Sequence, residues 1–117
     1  MISTYNKNFN GIDGFVNIEP YDYKTIKVEI TFPANLSMGS VYAYIENNKD
    51  IFDKSVMVEK KIYGILIITT WIAVDEVDTK VKQFLDKVND VMTIVYQKNV
   101  LAIEAANKAI EYVKNWS

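Results

Sequence analysis

The side chains of this sequence that carry chemistry are carboxylates, lysine amines and the hydroxyls of Tyr, Ser and Thr. Acidic groups pair at Asp50 and Asp53 and cluster at Asp75, Glu76 and Asp78, and such oxygen donors can hold a hard cation such as Mg²⁺ or Ca²⁺. Their spacing matches no EF-hand loop, and the chain carries neither a Gly-rich phosphate cradle nor a Ser-x-x-Lys string. A solvated loop for the first pair and the acidic start of a helix for the second is the simpler reading. Lys60 and Lys61 beside Tyr63 would offer a nucleophile only with a lowered pKa, and paired lysines leading into a turn are more often solvated edge residues. No catalytic residue, metal ligand or cofactor is assigned, and the reading leans away from an enzyme.

The residues that are missing narrow the function further. The 117 residues include no His and no Cys, and all 13 basic residues are Lys. Without His or Cys there is no zinc site of the usual kind, no thiol catalysis and no Ser/His/Asp or Cys/His triad. Without Arg there is no planar fork for bidentate recognition of phosphate or guanine. The lysines are dispersed among 15 carboxylates for a net charge of −2, so no stripe forms that would release counterions from a nucleic acid. Nucleic acid is therefore not an expected partner, and neither is a membrane, because no apolar run approaches the ~20 residues of a span. The stretch from Met1 to Phe15 has no apolar signal core, which makes the cytoplasm the expected location. Abundant Lys, Asn and Ile with no Arg suggests an AT-rich microbial or viral genome. The triplets Asn35-Leu36-Ser37 and Asn115-Trp116-Ser117 are taken as chance matches to a glycosylation acceptor.

The elements that must position these groups follow from hydrophobic period. Residues 1–13 are polar and Asn-rich, which predicts a flexible start or a turn, followed by a short strand over 15–19 that Pro20 closes. Ile26, Val28, Ile30 and Phe32 alternate with Lys27, Glu29 and Thr31, the period-two pattern of a half-buried strand. Residues 33–39 read as a turn or one helical turn. Val41, Ala43 and Ile45, alternating with Tyr42, Tyr44 and Glu46, predict a third strand. Residues 55–61 form a weaker fourth, joined as a hairpin through Ile62, Tyr63 and Gly64 to a fifth at 65–74. In that fifth strand Ile65, Ile67 and Trp71 point one way and Leu66, Ile68 and Ile72 the other, so both faces are apolar. Such a strand is covered on both sides or exposes a patch.

From Asp75 to Ser117 the period becomes helical, and no Gly or Pro interrupts it. At ~100° per residue the apolar positions from Val77 to Val95 fill an arc about 120° wide, whereas those from Leu101 to Trp116 spread over roughly 200°. The two arcs are centred within about 40° of each other, which favours one continuous helix over a hairpin broken at Asn99. A helix of about 40 residues runs some 60 Å, against about 26 Å for an eight-residue strand. It would overhang its own sheet, and the bare part would then need another chain, most simply a second copy. A chain folded back at Asn99 would instead cover itself.

These readings give a single α+β domain over 1–117: an antiparallel meander of about five strands within 14–74, then a long helix or helix pair over 75–117 packed on one sheet face. The leading functional expectation is a non-enzymatic interaction or assembly module that acts as a homo-oligomer, a dimer being simplest, in the manner of an inhibitor or accessory factor that also engages another protein. Its interface candidates are Tyr42, Tyr44, Leu101, Ala105, Ala109, Tyr112, Val113 and Trp116. Tyr42 and Tyr44, with Tyr21 and Tyr23, would form a docking face beside the fifth strand; ordinary cross-strand pairing on a solvated face is the plainer account. The alternative is a protein that holds a small apolar ligand between sheet and helix, lined by Ile67, Trp71, Phe84 and Val88.

Overall fold

The computed structural model describes residues 3–33 and 38–116. Strands β1 (Ser3–Phe9), β2 (Ile12–Pro20), β3 (Thr25–Phe32), β4 (Met57–Lys60) and β5 (Leu66–Ala73) form one antiparallel sheet, with helix α1 (Met38–Asn47) between β3 and β4 and helix α2 (Val77–Lys114) after β5. The α+β class, five strands followed by a long helix packed on the sheet, is as expected.

Alternation in β3 sets the core. Val28, Ile30 and Phe32 are fully buried, while Lys27 and Glu29 turn to the other face and form a small ion cluster with Glu19. Pairing of Ile30 with Ile68 and of Phe32 with Leu66 puts the buried side chains of β5 on the same face. Phe84, Val88, Val91, Met92 and Val95 of α2 close over them, each fully buried side chain of this kind stabilising the fold by about 1.5–3 kcal/mol. Gly14 on β2 admits the Phe32 ring against the backbone, and Phe9 meets that ring edge-on with centroids 5.4 Å apart.

Three expectations are corrected. The residues read as a third strand, 41–46, belong to α1. Over six residues alternation cannot exclude a helix, and burial follows the helical steps Met38, Val41 and Ile45, leaving Ala43 in solvent. The polar start is not a flexible lead: residues 3–9 are β1, an edge strand with little to bury. Its turn has Asn10 and Gly11 at φ 52° and 88°, the left-handed pair that closes a tight hairpin, and Asn8 Oδ1 accepts the Gly11 N–H at 2.8 Å. The strand order is β1-β2-β3-β5-β4, so the meander holds through β3. Helix α1 then carries the chain across the covered face, β4 takes the far edge, and β5 returns between β4 and β3.

At the start of α2, Asp75 and Glu76 lie in a single 3₁₀ turn and Asp78 in the first turn of the helix, but Glu76 at the N-cap position makes no side-chain capping bond. The acidic cluster stands where the positive end of the helix dipole favours negative charge. The Asn35-Leu36-Ser37 triplet and most of the 33–39 connection lie outside the described residues, as does Ser117.

Candidate interaction surface

Helix α2 is continuous through Asn99. It follows β5, turns back across the covered face, and its 38 residues run about 57 Å at ~1.5 Å each, more than twice the length of β5. The molecule is accordingly drawn out to 70 × 25 × 22 Å. Every residue from 101 to 116 is exposed, and the large apolar side chains there are mostly bare: Leu101 is 65% exposed, Tyr112 73% and Trp116 76%, with Ile103, Ile110 and Val113 at half or more. Isolated exposed apolar residues are ordinary, whereas several large ones along one stretch of helix make a candidate contact surface.

The bare patch extends the face that grips the sheet. Alternate steps of four and three residues lead from Val77 through Phe84, Val91 and Val95 to Ala102, Ala109 and Trp116, interrupted only at Lys98. Such a sustained 3.5-residue repeat is the pattern of a helix seam. Lys98 sits where α2 leaves the body, with Nζ 5.6 Å from the centre of the Tyr44 ring on α1.

Of the interface candidates, Leu101, Ala105, Ala109, Tyr112, Val113 and Trp116 all stand on this overhang and are exposed. Tyr42 and Tyr44 do not stand on a sheet face. Both are half-buried on the flanks of α1, under Lys60 and Lys98 respectively. Tyr21 and Tyr23 belong to the β2–β3 turn at the opposite end of the sheet, where Tyr21 meets Trp71 edge-on at 6.1 Å, so the four tyrosines make no common docking face. Sequence reading placed Ile62 and Tyr63 in a hairpin turn but not among the interface candidates, although they are 79% and 88% exposed at the β4–β5 turn. The register puts that turn at the Phe32 and Leu66 end of the sheet, on the β4 edge, whereas α2 packs on β5 and β1. A signal was present in two large side chains beside Gly64, with Tyr63 held at φ 73°.

The ligand-pocket candidates are divided between places. Ile67 alternates with the buried Leu66 and Ile68 and so lies on the face away from α2, and Val88 is sealed in the core. Trp71 and Phe84 do border one cleft of about 270 Å³, beside the short β4, with Phe52, Val56, Lys80 and Lys87 around it. The buried Trp71 Nε1–H has no acceptor among the described residues.

The remaining chemistry-bearing groups are paired or scattered. Lys61 Nζ lies 2.8 Å from Glu59, whose hydrogen bond and charge hold its pKa above the usual lysine value, the opposite of what an amine nucleophile requires. Asp53 accepts the Ser55 N–H at 3.1 Å in a local turn. Among the described residues no group of three or more His, Cys, Asp or Glu is placed to hold a metal ion, and no helix is long and apolar enough to cross a membrane.

No family model and no curated protein matches the sequence. Among solved structures, the chain is similar to one in the crystal structure of the Yersinia pestis type III secretion chaperone SycH in complex with a stable fragment of YscM2. The TM-score is 0.41 and the identity 15%, over 84% of this chain and 78% of that one. A likeness this loose extends to the α+β arrangement and says nothing of what this chain binds.

Proposed function

We propose that this protein is an interaction or assembly module that works as a homo-oligomer through the overhanging part of α2, serving another protein as an accessory factor or inhibitor. One observation carries the reading: residues 101–116 present an apolar arc that none of the other described residues covers. A bare arc of this width is costly in water, and burial against a second surface removes the cost. Sedimentation at low micromolar concentration tests it. The expected result is a dimer or larger assembly, and a strict monomer rejects the homo-oligomer.

A second reading has the cleft beside Trp71 and Phe84 behind it. A small apolar ligand there would rest on Phe52 and Phe84 with Lys80 and Lys87 at the margin. Filling the cleft by Val56→Phe should block uptake of a fluorescent apolar probe with the melting temperature kept. A chain that binds no such probe before or after the substitution dismisses this reading.

A further inference from the structure

The apolar arc of the overhang and the sheet-gripping face of α2 point the same way. At ~100° per residue, Phe84, Val91 and Val95 lie within about 40° of Ala109 around the helix. A second helix laid on residues 101–116 is therefore in line with the first copy's own sheet. This decides its direction. Run parallel and in register, the second helix would send its residues 77–95 into the volume that the first copy's sheet occupies. Run antiparallel, it sends that half outward past Trp116 and clears the sheet.

Resting on the homo-oligomer reading, we infer that the occupant of this face is a second copy, related by a two-fold axis that crosses α2 between Ala105 and Ala109, with the two overhangs antiparallel. The side chains suit such a contact. Ala102, Ala105 and Ala109 run along the middle of the arc, which lets two helix axes approach to the near end of the usual 8–10 Å range. Leu101 and Tyr112 rise on one flank and Ile103 and Ile110 on the other, so each helix sits in a trough of the other.

Tyr and Trp carry about 150–250 Å² each, so the six bare side chains, Tyr112, Trp116, Leu101, Ile103, Ile110 and Val113, present roughly 700–800 Å² per copy, an upper bound on what one helix can cover and of the order of the ~800 Å² each partner gives to a stable interface of standard size.

The chain has no native cysteine, so single-cysteine variants read the geometry directly. Ala109→Cys, Ala105→Cys and Ala102→Cys are each oxidised at low micromolar concentration, with the assembly mass measured by sedimentation on the reduced proteins. Whichever of Ala105→Cys and Ala109→Cys the two-fold axis passes nearer should form a disulfide-linked dimer, because only there do equivalent Cα atoms come within the ~4.4–6.8 Å that a disulfide spans. Ala102→Cys should not, its counterpart lying about 15 Å away along the helix for an axis midway between Ala105 and Ala109, at ~1.5 Å per residue. A dimer in which all three positions link equally is a parallel pair. A dimer in which none links is joined elsewhere. Either result overturns this inference and leaves the homo-oligomer standing, while a monomeric mass overturns both.

Discussion

Gly14 and Phe32 occupy one space: a Cβ built on Gly14 would lie 2.8 Å from Phe32 Cε1 and 3.2 Å from Ile30 Cγ2. Phe32 has no exposed surface and cannot swing aside. Gly14→Ala should therefore destabilise the fold by about 1–3 kcal/mol through overpacking, measured by urea unfolding. Adding Phe32→Leu should return part of that loss, so the double variant costs less than the two single changes combined.

Removing residues 99–117 separates the body from the overhang. All core side chains of α2 lie at or before Val95, so the shortened chain should keep its secondary structure and lose its assembly. Circular dichroism and sedimentation together check this. A fragment that keeps the parent's oligomeric mass contradicts the proposed interface.

Substitutions along α2 should fall into two kinds. Met92→Ala removes a side chain with no exposed surface and should cost about 2–5 kcal/mol of unfolding free energy. Trp116→Ala and Tyr112→Ala touch nothing in the body and should leave its core intact, yet each should weaken self-association about tenfold or more, as bare aromatic anchors do when truncated. Sedimentation over a dilution series distinguishes the two effects.

Tyr63 is held at φ 73°, ψ 13°, a region that Asn and Gly adopt with less strain. Tyr63→Asn should raise the stability of the subunit by about 0.5–1 kcal/mol. A lower melting temperature for this variant at matched oligomeric state would show that the exposed ring is needed by its own fold.

Each signal in the sequence reaches only a limited distance along the chain. β3, β5 and α2 were legible because their signals are local and long: strict alternation from Ile26 to Phe32, two apolar faces from Leu66 to Ile72, and 38 helical residues with neither Gly nor Pro. The overhang followed from the same evidence, since helix rise exceeds what a strand can match, and six of the eight interface candidates stand on it. α1 was misread because Val41 to Glu46 satisfies both periods over so short a run, and only Met38 restores the helical one. β1 was missed because an edge strand buries little, although Asn10 and Gly11 carried the turn signal.

By itself the sequence determined the helix, the strands with one apolar face, and the surplus of apolar surface at the end of α2, all of which depend on residues within a few turns of one another. Only the tertiary structure decided that β5 lies between β3 and β4, that Ile67 and Val88 belong to different layers, and that Tyr42 and Tyr44 flank a helix. Those outcomes depend on which distant segments share a face. Strand partners and layer order are set by burial summed over the whole sheet, and no local period encodes that sum.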